Sequence, residues 1–107
     1  MLTTQEVDQY IRLTLKQHGF ADHCVMWFEL SGRRLGQANP WEKRIELSPK
    51  VLSSFLLFRK VLTHEILHCI QFKRMGGTFQ VNGRNRFHGK VWREVCKEYS
   101  FSPSTHI

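Results

Sequence analysis

Two histidines four residues apart, His64 and His68, with a glutamate, Glu65, directly after the first, are the residues in this sequence best suited to do chemistry. On an α-helix, positions i and i+4 lie on one face a turn apart, so both imidazoles can reach one cation at about 2.0–2.1 Å. Zinc suits such a pair. The carboxylate of Glu65 would then face the open side of the ion without being a ligand. There it can take a proton from the attacking water and deliver it to a leaving amine. His64-Glu65-Ile66-Leu67-His68 thus reads as an HExxH segment, with His64 and His68 as metal ligands, Glu65 as general base and Zn2+ as cofactor.

A catalytic zinc ordinarily has three protein ligands and one open position, so a third ligand must come from elsewhere. His18, His23, His88, His106, the cysteines and several carboxylates are candidates. His88 is favoured because it opens a predicted helix just after a loop that can fold the chain back onto the first pair. His18 and His23 flank a turn, and His106 falls in a tail. Cys69 follows a ligand but points about 100° away on the helix, which places it in the core.

The elements that position these groups can be read from periodicity. Residues from Thr4 to about His18 form an amphipathic helix with Val7, Tyr10, Ile11, Leu13 and Leu15 near one stripe, Thr3 or Thr4 as N-cap and Gly19 as stop. His23 to Leu30 is expected to be a central strand, apolar on both faces. Leu35 to Ala38 and Arg44 to Ser48 add two short strands, which suggests a small antiparallel meander. Ser48-Pro49 starts helical structure, and Ser53-Ser54 caps a long helix that runs through Phe55, Phe58, Leu62, Ile66, Cys69 and Phe72 to Gly76-Gly77. It is apolar on most of its surface and should be buried, so His64, Glu65 and His68 within it need partners. A Gly-rich loop from Gly76 to Phe87 leads to a helix over His88 to Tyr99, and Ser100 to Ile107 reads as a frayed tail. The fold class is α+β, with a small antiparallel sheet packed beside the metal-bearing helix and helices before and after it.

Composition bounds the possibilities. The 107 residues suffice for one domain, 1–107, and an apolar share of 41% with 12% aromatics is that of a globular chain. Lys and Arg number 16 against 9 Asp and Glu, a formal charge of +7 that favours polyanionic partners, nucleic acid first. Three scattered cysteines without a CxxC pair, no signal-like N-terminus and no membrane-length apolar run point to a protein that is neither secreted nor membrane-bound. A cytoplasmic, nucleoid or nuclear location is expected.

The run Val61-Leu62-Thr63-His64-Glu65-Ile66-Leu67-His68, followed by His88-Gly89-Lys90-Val91-Trp92, resembles the SprT-like metallopeptidases, whose pattern is HExxH and then His-Gly-x-x-aromatic. Leu35-Gly36 and Arg44-Ile45-Glu46-Leu47-Ser48-Pro49 fit the strand pair and helix start that precede the active-site helix in that family. The likeness spans roughly residues 5 to 99. It implies a zincin-like fold, His64, His68 and His88 as zinc ligands and Glu65 as catalytic base. The family includes Spartan-type proteases that degrade proteins crosslinked to DNA, so it also implies a zinc metalloendopeptidase with a protein substrate near DNA. Unlike the longer members, this sequence shows no zinc ribbon, so DNA contact is expected from the domain itself. Lys73, Arg74, Arg84 and Arg86 form a basic run around the loop before His88.

Trp41, in a turn beside cationic residues, is a candidate for base stacking, whereas Trp27 and Trp92 fall on core patterns. Tyr99, Arg93 and the remaining histidines are candidate oxyanion stabilisers. Two alternatives stand beside the peptidase: a non-catalytic nucleic-acid-binding module with a structural zinc, and a zinc hydrolase of a non-peptide substrate.

Overall fold

The structure, a computed structural model, describes residues 2–103. Three helices and two small sheets make an α+β arrangement. Helix α1 (Thr4–Gln17) opens with a capping box in which Glu6 N–H donates to Thr3 Oγ1 at 3.1 Å and Thr3 N–H donates to Glu6 Oε1 at 2.9 Å. It buries Val7, Ile11, Thr14 and Leu15, an i, i+4, i+7, i+8 stripe. Leu13, expected on that stripe, lies two residues from Ile11, so about 200° around the helix, and is exposed. Tyr10 packs on the first turn of the long helix against Phe55 and Phe58, with ring centroids 5.4 and 5.6 Å away.

Strands β1 (Cys24–Trp27), β2 (Gly36–Asn39) and β3 (Arg44–Leu47) form one sheet in the order β1-β3-β2. Two expectations are corrected here. The sheet is mixed rather than an antiparallel meander, because β1 pairs with β3 in parallel while β2 pairs with it antiparallel. The first strand is also an edge, with Cys24 and Met26 exposed, and β3 is central, with Ile45, Glu46 and Leu47 buried. The physical reason is the link between β1 and β2. Residues 28–35 are too many for a tight hairpin, which leaves room for β3 between the first two strands. The link from β2 to β3 is short: a 3₁₀ turn at Pro40–Glu42 and a left-handed Lys43.

A 3₁₀ turn at Pro49–Ser53 leads into α2 (Phe55–Arg74), whose N-cap Ser54 accepts from Leu57 N–H at 3.3 Å. From Phe58 onward α2 is the centre of the molecule, packed against β2, β3, the preceding turn and α3 (Lys90–Glu98). The segment read as a plain Gly-rich loop holds a second small sheet, a hairpin of β4 (Gln80–Val81) and β5 (Arg84–Asn85). Its turn residues Asn82 and Gly83 both have positive φ, the requirement of a type I′ turn. The tail is docked as far as it is described. Phe101 packs on the core, and Trp92 Nε1–H donates to the Pro103 carbonyl at 3.2 Å.

The sheet meets α2 closely at Gly36. A Cβ there would lie 2.8 Å from Val61 Cγ1, 3.1 Å from Leu47 Cδ2 and 3.2 Å from Glu65 Oε2. Absence of a side chain, rather than unusual backbone, is what this position requires. Gly36→Ala should therefore cost about 1–3 kcal/mol, and Val61→Ala in the same protein should return part of it. Thermal melts of the two single variants and the double variant check this: purely additive effects would show that β2 can move off the helix.

Candidate metal centre

His64 and His68 sit one turn apart on the middle of α2, where both are buried. His88 lies in the turn before α3 and is exposed. One ligand atom from each of the three lies within 4.8 Å of the others, the span a single coordinated cation needs. The ring centroids of His64 and His88 are 6.1 Å apart, and those of His68 and His88 are 5.0 Å apart.

Gln71, fully buried one turn beyond His68, organises this meeting. Its Oε1 lies 2.8 Å from His68 Nδ1 and accepts the ring proton there, which leaves Nε2 with a free lone pair. Its Nε2–H donates to the Arg86 carbonyl at 2.9 Å. That carbonyl also accepts from Gly89 N–H at 3.4 Å, and Arg86 N–H donates to the Phe79 carbonyl at 2.7 Å. One amide side chain thus sets the tautomer of the second histidine and pins the turn that carries the third. Trp92 backs the cluster. Its ring stacks on His68 with centroids 4.0 Å apart and planes 15° apart, and it lies 4.9 Å from His64.

Burial makes the histidines reluctant to protonate. His64 is pushed down to about 3, first by burial and then by the charges of His68, His88 and Lys60. His68 falls to about 4, again chiefly through burial, against the Gln71 hydrogen bond. His88 is lowered by the same cause. Three neutral imidazoles at physiological pH are the donor state that a borderline cation requires. The Nδ1 of His64 is buried with no hydrogen-bond partner among the described residues, a polar atom that protein groups leave unsatisfied. Donor chemistry and this orphaned atom fit a zinc-like ion.

Glu65 projects to the sheet side of α2, against Gly36 of β2. Burial raises its carboxyl to about 8, partly opposed by the charge of Arg34. An open cleft of about 420 Å³ runs between β2 and the histidines. It is lined by Glu65, the three histidines, Arg33 and Arg34, residues 35–38 and the aromatic rings of Trp41, Phe79 and Phe87.

The other candidates lie elsewhere. His18 Nδ1 bonds to the Thr14 carbonyl at 2.8 Å, His23 Nδ1 contacts Asp22 Oδ1 at 3.0 Å, and His106 is outside the described residues. Cys69 is a core thiol that burial pushes up to about 12. Tyr99 and Arg93, considered as oxyanion stabilisers, do not line the cleft. Within the basic run, Arg74 is engaged by Glu98, leaving Lys73, Arg84 and Arg86 exposed. Gln71, Arg34, Phe79 and Phe87 were not expected at the site, nor was the close approach at Gly36. Only Gln71, three residues after His68, carries a local signal for its role.

A buried carboxyl whose folded value lies above its unfolded one costs stability once pH exceeds the unfolded value, and the cost grows up to the folded value. Glu65→Gln should therefore raise the melting temperature of the metal-free protein at pH 8 by several degrees, and by less near pH 5. Calorimetry of both proteins after chelation, at the two pH values, checks the sign.

Comparison with known proteins agrees with this arrangement in one respect. Searches of curated proteins and of solved structures returned no match. The sequence profile of the SprT-like family, in contrast, matches residues 4–106, a span that contains all three helices, both sheets and the histidine cluster. The chain belongs to the SprT-like family.

Proposed function

We propose that this protein is a zinc-dependent metalloendopeptidase of zincin-like architecture that acts on DNA-bound or DNA-crosslinked proteins. The observation that carries the reading is the convergence of His64, His68 and His88 beside Glu65 at the wall of an open cleft. Zinc held by the three histidines supplies Lewis acidity, which polarises a peptide carbonyl and lowers the pKa of water. The remaining steps belong to the chain. The outer strand β2 lies along the cleft, where an extended substrate can add as a further strand and hold its scissile carbonyl beside Glu65. Glu65 accepts a proton from water as the oxygen adds to the carbonyl carbon. It then returns that proton to the amine nitrogen as the C–N bond breaks. Gln71 holds His68 in the tautomer that keeps a lone pair on the metal side.

Association with DNA is supported by the net charge of +7 and by the exposed cations Lys73, Arg84 and Arg86. Exposed cations give salt-sensitive, sequence-independent affinity, which suits a substrate defined by its attachment to DNA. A non-catalytic nucleic-acid module with a structural metal would share this charge. It would have no use for a general base beside an open cleft, and structural zinc sites are closed by four protein ligands, where three are found among the described residues.

Two measurements test the reading. Zinc content should be near one per chain in the wild type, fall sharply in His88→Ala and weaken about 10- to 100-fold in affinity in Gln71→Ala. Unchanged zinc in His88→Ala would remove the three-histidine site. Cleavage of a basic DNA-bound protein should rise with DNA and fall about 10²- to 10⁴-fold in Glu65→Gln, with zinc retained. Activity that survives this substitution would remove the proposed base.

A further inference from the structure

The aromatic rings at one end of the cleft form a connected group that begins beside the metal ligands. Phe79 is its floor: it is 6% exposed, and its ring centroid lies 6.2 Å from His68, 5.0 Å from Phe87 and 6.4 Å from Trp41. Trp41 and Phe87 stand beside it as walls, 62% and 42% exposed. Phe72 backs the group, 5.2 Å from Phe79 and 6.1 Å from Trp41. Hydrophobic rings open to solvent inside a polar site are costly unless a ligand covers them.

The cleft is also asymmetric along its length. Strand β2 borders it: Arg33 and Arg34 precede the strand, Gly36 touches Glu65, and Trp41 lies just beyond its end. Arg34 is held in place by an Nη1–H bond to Gln37 Oε1 at 2.8 Å. A chain laid along β2 would thus pass cations at one end, the reacting groups next, and the aromatic rings at the other.

We propose that Trp41, Phe79 and Phe87 form a specificity subsite that receives a large apolar side chain of the substrate beside the bond that is cut. The proposal rests on a peptide occupying the cleft, as in the function proposed above. It assigns Trp41 to peptide rather than to nucleobase recognition, because the rings around it are apolar, the cleft's two arginines sit at the other end of β2, and the cations that follow it in sequence, Lys43 and Arg44, are paired with Asp22, Glu42 and Glu46. A base platform needs cations beside the ring to hold phosphates.

Binding to zinc-loaded Glu65→Gln, which has lost its base, separates this from hydrolysis. The probes are two acetylated pentapeptides that differ only at the centre, Phe or Gly, followed by NMR of the Trp indole and Phe ring signals. The Phe peptide should bind about ten-fold or more tightly than the Gly peptide and shift the Trp41 indole signal. Trp41→Ala should remove most of that preference and Trp41→Phe should keep part of it. The side chains of Trp41 and Phe87 are exposed enough for their replacement to leave the core intact. Equal binding of the two peptides, or a preference unchanged in Trp41→Ala and Phe87→Ala, overturns the subsite. So does a single-stranded oligothymidylate that shifts Trp41 when the peptides do not. Wild-type protein that binds the Phe peptide selectively but cleaves no peptide would overturn the peptidase reading and leave the subsite standing.

Discussion

Two imidazoles and a carboxyl lie desolvated inside one helix, and the packing around α2 follows from what they need. An unpaired charge buried at His64, Glu65 or His68 would be expensive, and the chain meets this by keeping the groups neutral: low for the histidines, high for the glutamate. Neutrality at these positions is costly in stability but productive in chemistry. The histidines keep lone pairs free, and the carboxyl sits where a nearby cation would favour its ionised form. α2 is shielded by the sheet on one side and α3 on another, and the cleft opens beside His64, Glu65 and His68.

Positioning depends on a few close contacts rather than on bulk packing. Gly36 lets β2 approach α2 closely enough to place Glu65 against the sheet edge. Gln71 links the second histidine to the turn that presents the third, so disorder in that turn would reach His68 through one side chain. Trp92 closes the back of the cluster and ties the C-terminal residues to it through its indole N–H.

Much of this was legible in the residues and some of it was not. The three helices announce themselves through 3.6-residue periodicity and caps at Thr3 and Ser54, because these signals are local. The strands were found, but their order was not: periodicity says which residues alternate, while the parallel pairing of β1 with β3 depends on where a long connection lets the chain return. Met26 and Phe28 look like core in the sequence and are exposed, Met26 in an edge strand and Phe28 just beyond its end. The hairpin at residues 80–85 carried a readable signal in Asn82-Gly83 that glycine content alone obscured. For the site, the HExxH spacing brings two histidines together by helix geometry, whereas the link from Gln71 to Arg86 and the roles of Arg34 and Phe79 arise only when distant segments meet. Docking of Phe101 and Pro103 is likewise a tertiary fact, since nothing periodic marks them.

The Asn82-Gly83 turn bears on how the histidines come together as the chain folds. His64 and His68 are joined by helix formation alone, and the route from His68 to His88 is shortened by a hairpin that returns within a few residues. Chain-closure entropy rises only slowly with loop length, so bringing in the third histidine is inexpensive and uses contacts that are near in sequence. The wall facing it comes from residues 33–41, which reach the cleft only when the sheet docks. Assembly of the histidine cluster and completion of the cleft thus draw on different stretches of chain. Changes to the sheet edge can reshape what the cleft admits while the histidine cluster keeps its own, largely local, folding problem.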